Sequence, residues 1–155
     1  MPEPVEIAPA PLTSPTAQAL IAALDADLAA RYPDPADVHP ALSVAEVTGD
    51  SGVFLVATVA GEPVGCGALR QIAPGTGEIK RMYVAPSHRG RGLGNKLLAE
   101  LERHARRLGL SELVLETGAA QPEALGLYRR AGFTGIPRFG AYRDSPASIC
   151  LGKSL

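Results

Sequence analysis

Tryptophan is absent from this 155-residue chain, and aromatic residues together make up only 5% of it. Its core must therefore be aliphatic, and a 46% hydrophobic content is enough to build one. The length favours a single domain, residues 1–155, that can bury a core without staples. Cysteine is scarce as well, with only Cys66 and Cys150. Two distant cysteines make neither a disulfide framework nor a metal-ligand cluster. Both lie in apolar, strand-like runs, where a small buried side chain is the plain reading. Neither sign of charge dominates: 15 basic and 16 acidic residues leave a net charge of −1. A nucleic-acid or anionic-membrane partner calls for a positive excess, which is missing. No apolar run approaches the ~20 residues that span a bilayer. Met1 to Pro11 has neither a basic n-region nor an apolar h-region. The expectation is a cytoplasmic protein with no metal, no nucleic acid and no membrane partner.

Proline and glycine punctuate what is there. The Pro-rich start around Val5 and Ile7 reads as a frayed tail or a first edge strand. Ser14-Pro15 is a helix-start signal, and Leu20, Ile21, Leu24 and Leu28 recur at helical spacing, so a helix is predicted from Ser14 to about Ala30. Residues 32–40, with three prolines and two aspartates, read as a loop. Apolar, β-branched runs over 53–60 and 63–72 flank Gly61-Glu62, a hairpin signature. A third strand is predicted over 78–84, unusually rich in charge. From Gly92 the period becomes helical through Leu93, Leu97, Leu98, Leu101, Ala105 and Leu108, and Gly109 ends it. A strand over 113–116, a short helix over 121–130 closed by Gly132, and two weaker strands near 138–142 and 148–151 complete the order. The basic run from Arg103 to Arg107, with Glu100 and Glu102 beside it, reads as a solvated helix face.

One segment carries chemistry. The strand Glu78 to Val84 leads through Ala-Pro-Ser-His into Arg89-Gly90-Arg91-Gly92-Leu93-Gly94 and then a long helix. Alternating glycines at a helix N-terminus expose consecutive main-chain N–H groups and let a ligand come close, and the helix dipole favours an anion. Arg89, Arg91 and Lys96 add positive charge. On physical grounds this is a pyrophosphate site. A P-loop requires Gly-Lys-Ser/Thr, but Asn95-Lys96 follows Gly94. A dinucleotide fingerprint counted from Gly90 requires glycine where Asn95 stands.

The same span fits Arg/Gln-x-x-Gly-x-Gly/Ala, and the chain resembles the GCN5-related N-acetyltransferases (GNAT). Tyr83-Val84-x-Pro86 is similar to the end of that family's fourth strand. Ala124-Leu-Gly-Leu-Tyr128-Arg-Arg-Ala-Gly132-Phe133 is similar to its Ala-x-x-Leu-Tyr-x-x-x-Gly-Phe helix. The likeness covers about residues 53–133. It implies an α+β, three-layer fold whose mixed, mostly antiparallel sheet splays between strands 4 and 5, with helices on both faces.

The resemblance implies acetyl-CoA as co-substrate and an amine as acceptor. The pantetheine arm would pair with the backbones of Met82 and Val84, and the Met82 N–H would polarise the thioester carbonyl. Residues from Arg89 through Gly90, Arg91, Gly92 and Gly94 to Asn95 would cradle the pyrophosphate. Gln121 stands where many members carry Asn for the pantetheine arm. Direct attack on the thioester needs a neutral amine and hence a base. Glu78 is the first candidate, on a strand face expected to include Lys80, Met82 and Val84; Glu116 is held in reserve. Tyr128 is the implied general acid. His88 and His104 read as loop and helix-surface residues. For the acceptor, Asp34, Asp37 and His39 would draw an amine and Arg138 and Arg143 a carboxylate. A non-catalytic acyl-CoA sensor is the alternative function. Family members often pair C-terminal strands between chains, which implies a homodimer as one assembly.

Overall fold

The computed structural model describes residues 4–33 and 42–155. Asp34, Asp37 and His39 lie outside them. Seven strands, β1 (Val5–Pro9), β2 (Gly52–Val59), β3 (Glu62–Ala73), β4 (Thr76–Val84), β5 (Glu112–Gly118), β6 (Thr134–Gly135) and β7 (Ser148–Ser154), form one sheet in the order β1-β2-β3-β4-β5-β7-β6. Every pairing is antiparallel except β4 with β5. Three helices flank it: α1 (Pro15–Arg31), α2 (Leu93–Arg107) and α3 (Pro122–Arg130).

Local chemistry explains the elements. Ser14 Oγ accepts the Ala17 N–H at 3.2 Å and Pro15 occupies the first helical turn, which starts α1. Ala60 (φ 49) and Gly61 (φ 83) both take left-handed conformations, giving the tight β2–β3 turn a backbone twist that matches its strands. Beyond α2, Leu110 N–H reaches Ala105 C=O at 2.9 Å and Gly109 N–H reaches Arg106 C=O at 3.0 Å, a Schellman stop.

Each face of the sheet has its own core. Leu97, Leu98, Leu101 and Ala105 of α2 pack on Leu55, Leu69, Ile79, Leu113 and Leu115, joined by Tyr128 of α3 and Phe133. Ala17 and Leu20 of α1 pack on Phe54, Val56, Cys66 and Ala68 of the opposite face. Burying each α2 leucine contributes about 2 kcal/mol.

Two irregularities shape the site. First, β4 pairs with β5 only from Thr76 to Ile79, opposite Glu112 to Leu115. Both strands run on beyond that ladder, and the sheet splays open. Second, β4 is bulged. Ala68 pairs with Lys80 and Cys66 with Tyr83, so Arg81 and Met82 together oppose the single residue Gly67. Arg81 is left-handed, with φ 57.

The bulge corrects the expected strand face. Met82 and Val84 pack against the α2-side core, whereas Glu78 meets Arg70 and Tyr142 across the other face. One extra residue reverses the alternation, so Glu78 and Met82 do not share a side. A second correction concerns the predicted strand near 138–142. Gly140–Tyr142 is a 3-10 turn; Pro137 and left-handed Gly140 (φ 54) interrupt extended pairing, and β6 takes the place beside β7.

Candidate active site

The splay holds two cavities that share lining residues. The larger, about 340 Å³, runs from the glycine loop past Met82, Tyr83 and Val84 to Ala124, Leu127 and Tyr128 of α3, with Leu24, Asp27 and Arg31 of α1 on its rim. The smaller, about 70 Å³, lies at the root of the splay among Ile79 to Met82, Glu116, Thr117, Tyr128 and Tyr142. Leu24, Met82, Gln121 and Tyr128 line both.

The outer end suits an anion. Gly90 (φ 77) and Gly92 (φ 81) hold left-handed conformations that turn the loop into α2. Gly94 is small for a different reason: a Cβ there would sit 3.0 Å from Leu127 Cδ2, so glycine lets α2 approach α3. Gly92 caps α2 without a side chain, and Lys96 N–H is bonded to its carbonyl at 3.1 Å. The N–H groups of Leu93, Gly94 and Asn95 in that first turn have no acceptor within the helix. With no acidic residue in the turn, they meet a ligand with the positive end of the dipole.

The arginines divide. Arg89 lines the cavity, but its Nε donates to Val84 C=O at 2.8 Å and its guanidinium lies 5.8 Å from the Tyr83 ring centroid. It braces the end of β4 while contributing charge. Arg91 and Lys96 are exposed and lie outside the lining. Arg31 and Arg130, which the sequence did not single out, are in it. Arg31 donates to Ala120 C=O at 2.9 Å and is paired with Asp27 at 3.4 Å and with Glu123, clamping α1 to α3 across the cleft. The hydrogen bond from Arg31 is the main reason the Glu123 carboxyl sits below its ordinary range. Nothing periodic marks Arg31; only its position at the end of α1 brings it here.

Tyr128, which lines both cavities, is 6% exposed and stacks edge-on against Phe133 at 5.9 Å. Desolvation, then the nearby Glu116 charge, pushes its hydroxyl well above the ordinary phenol range, so it keeps its proton at neutral pH. Gln121 lies beside it and donates from Nε2 to Tyr32 Oη at 3.3 Å. Gly118 leaves room for that tyrosine, because a Cβ there would collide with the Tyr32 hydroxyl.

The two candidate bases are placed differently. Glu78 is fully buried and absent from the lining of both cavities. Its Oε1 accepts from Arg70 Nε at 2.8 Å and its Oε2 from the Tyr142 hydroxyl at 2.8 Å. Arg70 is bound in turn to Glu46. Glu78 thus touches Tyr142, one of the residues that line the small cavity. Glu116 lines that cavity with Tyr128 and accepts from Ser148 Oγ at 2.6 Å. Lys80 lines it too, its ammonium pushed below the usual lysine range by burial. Arg138 and Arg143 are exposed and outside both linings. His88 lines the larger cavity and contacts Ser87 Oγ through Nδ1 at 2.8 Å.

Neither cysteine offers a nucleophile. Burial pushes the Cys66 thiol up to about 12 and raises that of Cys150 as well. Among the described residues, no helix is long and apolar enough to cross a membrane.

Known proteins resemble this chain in sequence and fold. The chain is 41% identical over 137 residues to an IAA acetyltransferase of Azospirillum brasilense, covering 88% of each. It is 37% identical, with a TM-score of 0.85, to a crystal structure from Klebsiella pneumoniae described as an acyl-CoA N-acyltransferase, covering 97% of each. At 23% identity and a TM-score of 0.70, it shares the fold of a GNAT acetyltransferase of Elizabethkingia anophelis solved with acetyl-CoA bound, covering 97% of this chain and 98% of that one. Residues 18–133 match the acetyltransferase (GNAT) family. The chain is an acyltransferase and belongs to the GNAT family.

Proposed function

We propose that this protein moves an acetyl group from acetyl-CoA to a primary amine of a small molecule or peptide by direct attack. The observation that carries this reading is that Tyr128 lines both cavities: one is lined also by the glycine loop at the start of α2, the other by a carboxylate, Glu116. The fit to acetyl-CoA rests on three features. The uncapped start of α2 and left-handed Gly90 and Gly92 suit a pyrophosphate. A cleft of about 340 Å³ is large enough for an extended arm. The stretch of β4 beyond Ile79, including Met82 and Val84, has no rung to β5 and offers main-chain groups to a strand-like ligand.

Acetyl-CoA supplies an activated carbonyl and a thiolate leaving group. The remaining steps belong to the chain. Glu116, in the cavity wall, takes the proton that the amine must lose, directly or through water. Glu78 holds Tyr142 in position behind it. The Met82 N–H stabilises charge on the carbonyl oxygen as the N–C bond forms and the C–S bond breaks. Tyr128, which retains its proton until then, gives it to the departing sulfur and regains one as Glu116 gives up the amine's proton, directly or through water, so protons balance over the cycle. The sensor alternative would need neither Glu116 nor Tyr128 in the cleft.

The test is acetyl-CoA binding by calorimetry together with thiol release against a panel of amines, with IAA assayed beside them because a similar protein is named for it. Micromolar binding with acceptor-dependent release supports the enzyme. Binding with no release on any acceptor favours the sensor, and no binding removes the reading of the glycine loop.

A further inference from the structure

Two residues that line the small cavity each carry a buried polar atom with no partner among the described residues: Arg81 Nε and Thr117 Oγ1. Thr117 is 3% exposed and the Arg81 side chain 10%. Leaving such groups unpaired costs about 1–3 kcal/mol each, so each orphan calls for an explanation. Both residues line the small cavity and neither lines the large one. A pantetheine arm running from the glycine loop to Tyr128 therefore does not account for them.

Arg81 is also the strained residue of the site. It holds φ 57 without being glycine, and its position is pinned from two sides. Its Nη1 donates to Asp25 at 2.8 Å, and its carbonyl accepts from Cys66 Sγ at 3.2 Å. Strain of this kind persists where the surroundings over-determine it, as they do at ligand sites. The result is a fixed guanidinium whose Nε is unused.

We infer that the acceptor is an amine carrying a carboxylate beside it, with an α-amino-acid head group, whose carboxylate takes the hydrogen bonds of Arg81 Nε and Thr117 Oγ1 while its nitrogen faces Glu116. The chemistry fits: two orphaned groups able to donate need acceptor oxygens, and a carboxylate supplies acceptors only. Lys80 lines the same cavity. The size fits too. A cavity of about 70 Å³ holds about five water-sized groups, and an α-amino-acid head group has five heavy atoms. The inference rests on the acetyl-transfer reading above, and the same reaction applies: the amine nitrogen bonds the acetyl carbon, its proton goes to Glu116, and Tyr128 protonates the sulfur.

The experiment compares α-amino acids with their primary amides in thiol release by the full-length chain, with acetyl-CoA affinity measured by calorimetry alongside. The amide series carries the less basic amine and is the better nucleophile near neutrality, so chemistry alone favours the amides. The expected result is a kcat/KM at least tenfold higher for the free acids. Thr117→Val, which keeps the shape of the side chain, and Arg81→Gln should each abolish that preference by raising KM for the acids alone, leaving acetyl-CoA affinity unchanged. Equal turnover of acids and amides would overturn the inference, as would a Thr117→Val variant that loses acetyl-CoA affinity and keeps the acid preference. Absence of acetyl-CoA binding would overturn the acetyl-transfer reading, and this inference with it; turnover indifferent to the carboxylate would overturn this inference alone.

Discussion

The Tyr142 hydroxyl donates to Glu78 at 2.8 Å across 64 residues of sequence, tying the turn before β7 to the middle of β4. With Arg70 on its other oxygen, this carboxylate is held by hydrogen bonds on both sides in a place without solvent. Such a group is costly to disturb, because removing one member leaves a buried partner uncompensated.

Glu78→Gln should therefore act first on stability. Urea unfolding is expected to show a loss of about 3 kcal/mol, while the folded fraction keeps a pH–rate profile of unchanged shape. If stability holds and the acidic limb of kcat/KM shifts instead, Glu78 is the base and Glu116 is not.

Tyr128→Phe removes one buried hydroxyl from a residue that lines both cavities. Turnover should fall by roughly 100-fold or more, with acetyl-CoA affinity nearly intact by calorimetry. A large loss of affinity with turnover retained at saturation would make Tyr128 a binding residue.

The α1–α3 clamp should be visible in a pH titration. Glu123 is held below its ordinary range, chiefly by its hydrogen bond from Arg31. A depressed carboxyl binds fewer protons folded than unfolded, so its stabilisation is present above the ordinary carboxylate range and fades as pH falls through the folded value. Wild type and Glu123→Gln should therefore differ more in stability at neutral pH than in acid. Carboxyl NMR of Arg31→Met should return Glu123 to its ordinary titration; an unmoved resonance would mean that Arg31 is not the cause.

Gly92→Ala tests the loop. A Cβ there meets nothing within 4 Å, so the cost is conformational, set by φ 81. A stability loss of about 1 kcal/mol is expected, together with weaker acetyl-CoA binding from a displaced helix start. Unchanged affinity in calorimetry would show that the main chain here does not hold the phosphates.

Much of this architecture is local and could be read directly. Ser14-Pro15, the i, i+3, i+4 leucines of α2, the Gly109 stop, and the alternation of Gly90, Gly92 and Gly94 each act within a few residues of themselves, so spacing suffices to identify them. Leu127-Tyr128 with Gly132-Phe133 carried the family likeness for the same reason.

What the tertiary structure decided lies wherever pairing register and distant chain segments meet. The bulge at Arg81 reverses side-chain direction along β4, and an alternation rule applied to residues 78–84 cannot reveal it, because the extra residue exists only relative to Gly67 on the neighbouring strand. Glu78 is taken out of the cleft lining by Arg70 and Tyr142, and Arg31 is brought to the rim by the packing of α1. Arg138 and Arg143 remain in solvent on either side of the Gly140–Tyr142 turn. The sequence by itself determined most of the elements and the glycine pattern of the loop before α2, since those depend on backbone freedom and periodicity. Which carboxylate and which cations line the cleft depended on contacts between residues far apart in the chain, where side-chain direction is set by partners.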